Sequence, residues 1–155
     1  MKLNEIEKAY LAGFIDGDGC LLAQLVKRED YKYLYEIRIT INLYQKTSRY
    51  WFLQTIQKQL GGYLVKRKDQ MSVLTIVDKN RIEEILNQLL PYLKVKQRTA
   101  KLLLEIIKDK KTIINECDFL KVCQKVDKVA EYTDSKNRKI TSEIVKQSLK
   151  TTCRD

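Results

Sequence analysis

The stretch YLAGFIDGDG, residues 10–19, ends in two carboxylates, Asp16 and Asp18, set between glycines. Acids are disfavoured at a helix C-terminus, where the aligned peptide dipoles already leave partial negative charge. Aspartate oxygens beside exposed backbone carbonyls form the hard, oxygen-rich site that Mg²⁺ prefers. An EF-hand loop is excluded, because the sixth and twelfth positions counted from Asp16 are Leu21 and Lys27. A simple Asp-Gly turn remains an alternative.

A stripe of small residues on the same predicted helix favours the metal site over the turn. Ala9, Gly13 and Gly17 lie four residues apart, a spacing that lets another backbone approach closely. Packing against a second copy across a twofold axis would bring both acidic helix ends together, and a cation would have to neutralise them. The chain has 30 Lys and Arg against 20 Asp and Glu, a net charge of +10, which favours a polyanionic partner. A basic surface around an acidic metal site is typical of a phosphodiesterase acting on nucleic acid, although a merely basic globular protein has the same charge.

Several classes of chemistry are excluded by composition. The chain has no histidine, and its four cysteines show no C-x-x-C spacing, so histidine-based metal sites and Ser-His-Asp catalysis are absent. The cysteines are expected to be apolar side chains in a reducing compartment. No 18-residue apolar run and no signal-peptide core are found, which predicts an intracellular protein that is neither secreted nor bound to a membrane.

The periodicity predicts an α+β fold in a single domain over residues 1–155, with a core over about 5–110 and C-terminal helices over about 111–155. Helix, hairpin, helix, hairpin and helix follow one another through the first ninety residues, and the alternation in YEIRITINLY predicts the clearest strand. Helices on one side of a four-stranded sheet leave the other side, the open face, uncovered. A solvated face is the alternative to a surface that reads polar groups. The polar side chains predicted on the open face are Gln24, Arg28, Glu36, Arg38, Thr40, Asn42, Lys66, Lys68 and Thr75.

The segment LAGFIDGDG, residues 11–19, resembles the LAGLIDADG motif of homing endonucleases. The resemblance extends to QKTSRYWFL (45–53), PYLKVKQ (91–97), FLKVC (119–123) and DSKNRKITSE (134–143), and is strongest to the single-motif type encoded in chloroplast introns. It implies the LAGLIDADG fold, an α-ββ-α-ββ-α core whose antiparallel four-stranded sheet forms a DNA-binding saddle. It also implies a homodimer, because only one motif is present.

The resemblance implies Mg²⁺-dependent hydrolysis of both strands of a long, pseudo-palindromic double-stranded DNA site, leaving short 3′ overhangs. Mn²⁺ is expected to substitute for Mg²⁺, no small-molecule cofactor is expected, and the implied location is an organelle, the chloroplast. An RNA-binding intron maturase and a non-cleaving DNA-binding protein of the same fold are the alternatives. The four residues implied in catalysis are all present, which favours the nuclease; they are Asp18, Gln45, Arg49 and Lys96.

The implied metal ligands are the carboxylate of Asp18 and the carbonyl of Gly17, while Asp16 is structural. The resemblance also implies that Gln45 orients water and that Arg49 and Lys96 stabilise charge on the phosphate. Ala9, Gly13 and Gly17 lie in the dimer interface. The residues that match the family's base-contacting positions are Leu22, Gln24, Val26, Arg28, Glu36, Arg38, Thr40, Asn42, Lys66, Lys68, Val73 and Thr75. The residues that match backbone-contacting positions are Ser135, Lys136 and Lys139.

Overall fold

The computed structural model describes residues 2–133 and 138–150 of the chain, and the predicted order of elements is confirmed. Ser135 and Lys136 lie outside the described residues. A 3-10 helix, Thr47–Arg49, precedes the second α-helix. Among the described residues no helix combines the length and apolar character needed to cross a bilayer. The other elements are α1 (Glu5–Asp18), β1 (Gly19–Lys27), β2 (Tyr35–Lys46), α2 (Tyr50–Leu60), β3 (Tyr63–Lys66), β4 (Met71–Ile76), α3 (Lys79–Leu89), α4 (Gln97–Lys110), α5 (Glu116–Glu131) and α6 (Ser142–Leu149).

The chain divides into two compact units. The first comprises Met1–Leu21 and Thr40–Lys101, and the second comprises Leu22–Ile39 and Leu102–Asp155. The strands form one antiparallel sheet in the order β1-β2-β4-β3.

In the first unit, α1 is capped at both ends by local hydrogen bonds. The side chain of Asn4 accepts a hydrogen bond from the Glu7 amide at 2.9 Å, and the Asn4 amide donates to the Glu7 carboxylate at 2.8 Å. This capping box satisfies two of the amides that a helix start leaves unpaired. At the other end Gly19 donates to the carbonyl of Ile15, and a Cβ on Gly19 would lie 2.7 Å from the Ile15 Cα. Only glycine permits that approach, so the acidic end of α1 has a fixed direction.

The core of the first unit lies on the side of the sheet that α2 covers. Ile41 pairs with Ile76 and Leu43 pairs with Leu74 across β2 and β4, and all four are buried. The side chains between them point to the open face, as the alternation of β2 predicts. Gln45 continues the covered row and lies opposite Ser72.

The prediction that Lys66 and Lys68 lie on the open face is wrong. Lys66 pairs with Ser72, which is on the covered side, whereas Val65 pairs with Val73 on the open face. Lys68 lies beyond the end of β3, in the turn that leads to β4. The error has a simple cause: β3 has only four residues, and its sequence, YLVK, does not alternate between apolar and polar side chains.

In the second unit, α5 and α6 pack together around buried Val126, Val129 and Val145. The Tyr35 hydroxyl of β2 shares a hydrogen bond of 2.8 Å with the Ser148 hydroxyl of α6. Burial raises the pKa of the Cys123 thiol to about 12, with a further contribution from the charge of Asp127, so this thiol is inert.

One further prediction about the cysteines is corrected. Cys117 is disulfide-bonded, so it is not the simple apolar thiol that was expected. Cys20 and Cys123 are not in disulfides.

Candidate active site and nucleic-acid interface

Three of the four predicted catalytic side chains form one hydrogen-bonded series at the end of α1. The side-chain amide of Gln45 donates from Nε2 to Asp18 Oδ2 at 3.2 Å, and Arg49 Nη1 donates to Gln45 Oε1 at 2.8 Å. The main-chain amide of Lys46 also donates to that oxygen, at 3.2 Å. β2 and the 3-10 helix that follows it therefore supply an amide and a guanidinium beside one exposed carboxylate.

Asp16 is used quite differently. Its carboxylate accepts three backbone N–H groups, from Lys94 at 2.7 Å, Val95 at 3.2 Å and Lys96 at 2.8 Å. Partial burial by itself raises the pKa of this carboxyl, but the backbone hydrogen bonds from residues 94–96 outweigh burial and hold the pKa below its usual value. Asp16 thus anchors the segment that carries Lys96 to the end of α1.

Lys96, the fourth predicted catalytic residue, lies at the same helix end. Its Nζ donates to the backbone carbonyl of Asp16 at 2.6 Å. The last four carbonyls of a helix have no partner within the helix, and this contact satisfies one of them, while Gly19 satisfies the carbonyl of Ile15. The carbonyls of Gly17 and Asp18 belong to the same last turn and face the end of the helix.

The oxygen atoms at the end of α1, from the Asp18 carboxylate and the Gly17 carbonyl, suit a hard divalent cation that takes its remaining ligands from elsewhere. No cluster of three or more potential metal-binding Cys, Asp or Glu side chains exists within the described ranges. Mg²⁺ keeps several waters and is commonly held by one or two carboxylates together with phosphate oxygens. One exposed carboxylate and one helix-end carbonyl per chain match that pattern, with the rest of the coordination supplied from outside this chain.

The stripe of small residues lies on the exposed side of α1. Ala9, Gly13 and Gly17 are exposed, and a Cβ added to Gly13 or Gly17 would meet no atom within 4 Å. The stripe is flanked by exposed Ile6, at 82% of its full accessibility, and Tyr10, at 58%. This face of α1 is open around Gly13 and Gly17, and at its margin the Tyr10 ring contacts Phe52 edge to face, with ring centroids 6.2 Å apart.

The open face of the first unit carries polar and aromatic side chains in register. Asn42, Thr75 and Tyr63 form one row, and Tyr44, Val73 and Val65 form the next. Asn42 Nδ2 donates to the Tyr44 hydroxyl at 3.3 Å, whereas Asn42 Oδ1 is buried and has no hydrogen-bond partner. A buried acceptor without a partner is costly, and a donor brought by a ligand would satisfy it. Thr40, predicted for this face, is buried.

Sequence reasoning missed the residues of β3 that share this face. Tyr63 and Val65 are exposed and paired with open-face residues of β4. The amide of Arg67 donates to the Met71 carbonyl at 2.7 Å, which extends the ladder by one pair and puts Arg67 on the same side as Val65. These three residues alternate along the chain, but only the pairing of Tyr63 with Thr75 shows that they, and not the lysines, lie on the open face.

The face of β1 and β2 in the second unit carries charges that are already paired. Arg28 contacts Asp30 at 2.9 Å and Glu36 at 3.8 Å, and Arg38 contacts Glu36 at 2.8 Å. Gln24 is exposed, and Leu22 and Val26 are half-buried. All six residues predicted here, which lie on β1, on β2 and at Arg28 just after β1, are therefore at least partly exposed in this unit.

Lys139 is exposed in the second unit, and its neighbour Arg138 is an anchor. Arg138 Nη1 donates to the Val126 carbonyl at 2.8 Å and to Asp127 Oδ1 at 3.0 Å, and Nη2 donates to the Ala23 carbonyl at 2.5 Å. These bonds attach the residues before α6 to α5 and β1.

Comparison with known proteins gives consistent results. A family model described as LAGLIDADG endonuclease matches residues 11–113. DNA endonuclease I-CvuI of Chlorella vulgaris is 40% identical over 148 residues, covering 95% of this chain and 92% of that protein. DNA endonuclease I-CreI of Chlamydomonas reinhardtii is 38% identical over 149 residues, covering 96% and 91%. A crystal structure of the homing endonuclease I-CvuI with the I-CreI target, uncleaved in the presence of Mg, aligns with a TM-score of 0.89 over 94% of each chain.

Proposed function

The chain belongs to the LAGLIDADG endonuclease family, and on that premise we propose that it is a site-specific homing endonuclease. It hydrolyses phosphodiester bonds in both strands of a long, pseudo-palindromic double-stranded DNA target and leaves short 3′ overhangs. The observation that carries this proposal is the hydrogen-bonded series of Asp18, Gln45 and Arg49 at an exposed helix end, in a chain of net charge +10. A DNA-binding protein that does not cleave has no need for that arrangement.

The active form is a homodimer whose two α1 helices pack through Ala9, Gly13 and Gly17. The open space around Gly13 and Gly17 and the exposure of Ile6 and Tyr10 beside them support the arrangement. Packing two copies of α1 side by side brings one Asp18 from each subunit to a common centre. Two carboxylates at close range are strongly unfavourable unless a cation lies between them.

A divalent metal supplies a polarised water for attack and charge stabilisation at the leaving oxygen when it is bound. Asp18 and the Gly17 carbonyl would hold it, and Mg²⁺ is the expected ion, with Mn²⁺ able to substitute. The I-CvuI complexes with DNA were solved with Mg or Ca, which supports dependence on a divalent cation. No small-molecule cofactor is needed for this hydrolysis.

The protein side chains around the metal position the reactants. Gln45, held between Asp18 and Arg49, orients water at the scissile phosphate. Arg49 and Lys96 offset the negative charge that builds up on the phosphate during attack. Because both groups are already in position, they stabilise this charge without having to reorganise. Asp16 contributes indirectly, because its three backbone hydrogen bonds fix the segment from which Lys96 extends.

Sequence is read from the major groove by the open faces of the strands. We retain Leu22, Gln24, Val26, Arg28, Glu36, Arg38, Asn42, Val73 and Thr75 as contacts, leave out Thr40 because it is buried, and add Tyr63, Val65 and Arg67 in place of Lys66 and Lys68. The unpaired oxygen of Asn42 supports a donor from a base edge at that position. The DNA backbone is contacted by Ser135, Lys136 and Lys139. An organellar, chloroplast location completes the proposal.

The decisive test is cleavage by the purified dimer of a plasmid library that carries randomised pseudo-palindromic sites and the I-CreI target. With Mg²⁺ the enriched sites are cut in both strands, and EDTA abolishes cutting. Specific DNA binding without cleavage in Mg²⁺ or Mn²⁺ would leave only a DNA-binding protein of this fold. Preference for structured intron RNA over every DNA site would instead identify a maturase.

A further inference from the structure

Lys66 lies on the same side of the sheet as the candidate active site. Gln45 of β2, Ser72 of β4 and Lys66 of β3 occupy one row across three neighbouring strands. The Thr47 and Ser72 hydroxyls share a hydrogen bond of 2.9 Å, which links this row to the 3-10 helix that carries Arg49. Lys66 is therefore separated from the Gln45 position by a single strand.

The ammonium of Lys66 is held without being neutralised. Its Nζ lies 4.5 Å from the centre of the Tyr50 ring, and Tyr50 directly follows Arg49 in the chain. Cation–π contacts at exposed sites are weak, so this one orients the lysine and leaves its charge available. Lys66 itself is exposed.

A basic cavity of about 570 Å³ opens at this end of the sheet. Lys46, Ser48, Lys66 and Lys68 are among the residues that line it. Within the described part of the chain, none of these three lysines forms an ion pair. The only carboxylate in the lining, Asp69, is bound to Arg67 at 2.8 Å. The cavity thus holds unpaired positive charge and a hydroxyl group but no competing anion.

We propose that this cavity binds a backbone phosphate of the DNA, with Lys66 as the principal ligand and Lys46, Lys68 and Ser48 in support. The inference rests on the proposed endonuclease function and refines it: Lys66 contacts the backbone beside the phosphate that is cut and does not read a base edge. Lysine is a point charge suited to a phosphate at the mouth of an open cavity, whereas reading guanine in the groove favours the fork of arginine. Contacts of this kind fix the register of the duplex and carry no sequence information.

The adjacent residues Lys66 and Arg67 occupy register positions on opposite sides of the sheet. Both line the cavity, but Arg67 is paired with Asp69 and Lys66 is not, so they make a matched pair of variants. Equilibrium DNA binding is measured against salt for Lys66→Gln, Arg67→Gln and the exposed control Lys79→Gln. The DNAs are the preferred target and a set of its single-base variants. Lys66→Gln should lower affinity several-fold by the same factor on every DNA. Because the homodimer loses two lysines, the slope of log K against log salt should fall by about 1.8, which is about 0.9 for each lost phosphate contact. Arg67→Gln should concentrate its loss, roughly tenfold or more, at one base pair.

Two controls distinguish the loss of the Lys66 charge from a folding defect. Lys66→Arg keeps the charge and should restore the salt slope, and thermal unfolding shows whether each variant is folded. A loss confined to one base pair in Lys66→Gln would make Lys66 a reader and overturn the proposal. A slope and affinity equal to those of Lys79→Gln would also overturn it. Cleavage by the wild-type protein tests the endonuclease function separately. If the wild type binds DNA without cleaving it, the endonuclease proposal fails, but the salt slopes of the variants still decide whether Lys66 contacts a phosphate.

Discussion

The end of α1 and the hairpin of β1 and β2 both carry exposed charge, but the chain organises them in different ways. At the end of α1, Asp16 is held by three backbone amides, and Asp18 is linked through Gln45 to Arg49. On the hairpin, Arg28 and Arg38 pair with acidic neighbours through side chains that are 20% to 63% exposed. At the end of α1 the backbone fixes Asp16, whereas the hairpin charges are held only by contacts between exposed or partly exposed side chains.

The difference matches what each region has to do. Chemistry at a phosphate needs donors in place before the reaction, because reorganising them raises the barrier. Exposed ion pairs contribute only about 0–1 kcal/mol each, so they can be exchanged for contacts to DNA at little cost. Changes at the helix end should therefore alter catalysis or stability sharply, and changes on the hairpin should alter the choice of sequence.

The largest effect is expected for Asp18→Asn. Cleavage should fall by at least about 10²–10³-fold, the scale on which one electrostatic stabiliser acts, while DNA affinity changes little. Asparagine still accepts the hydrogen bond from Gln45, and removing a negative charge from a helix C-terminus should leave stability equal or higher by about 0.3–1 kcal/mol. Plasmid cleavage, DNA binding and thermal unfolding of the same preparation measure the three quantities. A clearly destabilised variant would show that Asp18 is structural.

Gly13→Leu tests the exposed face of the same helix. The open space around Gly13 predicts that the isolated chain folds as well as before, with a gain in helix propensity of up to about 1 kcal/mol. Dimerisation should weaken by roughly 1–3 kcal/mol per copy because two leucines overfill the seam, and cleavage should be lost with it. Sedimentation over a concentration series gives the dimer dissociation constant, and Gly13→Ala should fall between wild type and leucine. An unchanged dimer would place the interface elsewhere.

Asp16→Asn should lower the free energy of unfolding by about 1.5–3 kcal/mol, the range for hydrogen bonds to a charged group. The asparagine amide turns a donor toward the N–H groups of residues 94–96, so the segment carrying Lys96 loosens and cleavage falls while Asp18 is intact. Chemical denaturation measures the first effect and single-turnover cleavage measures the second. A stable variant with wild-type cleavage would mean that this anchor is dispensable.

The pH dependence of stability sharpens the comparison, because Asp16 and Asp30 both have a lowered carboxyl pKa. For Asp30 the largest cause is the Arg28 side-chain hydrogen bond on an exposed surface. A carboxyl whose pKa is lower in the folded chain than in the unfolded chain stabilises the fold at any pH above its unfolded-state pKa, about 3.9. That contribution is lost as the pH falls through the pKa of the folded state. The stability difference between wild type and Asp16→Asn should therefore be constant at pH 5–7 and shrink below about pH 4. Asp30→Asn should give a much smaller difference at every pH, and equal curves would contradict the contrast.

How far the sequence predicts this molecule depends on the range of the contacts involved. The twelve residues of β2 alternate so regularly that its two faces follow from local pattern. β3 is too short for that, and its face depends on pairing with β4, which is why Lys66 was misplaced. The anchor between Asp16 and the amide of Lys94 spans 78 residues, and no local pattern indicates which backbone amides a carboxylate will meet. The motif predicts which acids matter, whereas their different roles depend on tertiary contacts.

The smallest effect on stability, and the sharpest test of the hairpin, is expected for Glu36→Gln. Glu36 holds both Arg28 and Arg38, and losing exposed ion pairs should change the free energy of unfolding by less than about 1 kcal/mol. The Arg38 guanidinium is then available to a phosphate, while Arg28 keeps only its pair with Asp30. Binding to unrelated DNA should therefore strengthen several-fold, and the ratio of target affinity to non-target affinity should fall. Competition binding with target and random duplexes at one fixed salt concentration measures that ratio, with Glu29→Gln as an exposed control of the same charge change. A loss of stability like that of Asp16→Asn would show that the hairpin charges serve the fold, and the contrast between the two regions would fail.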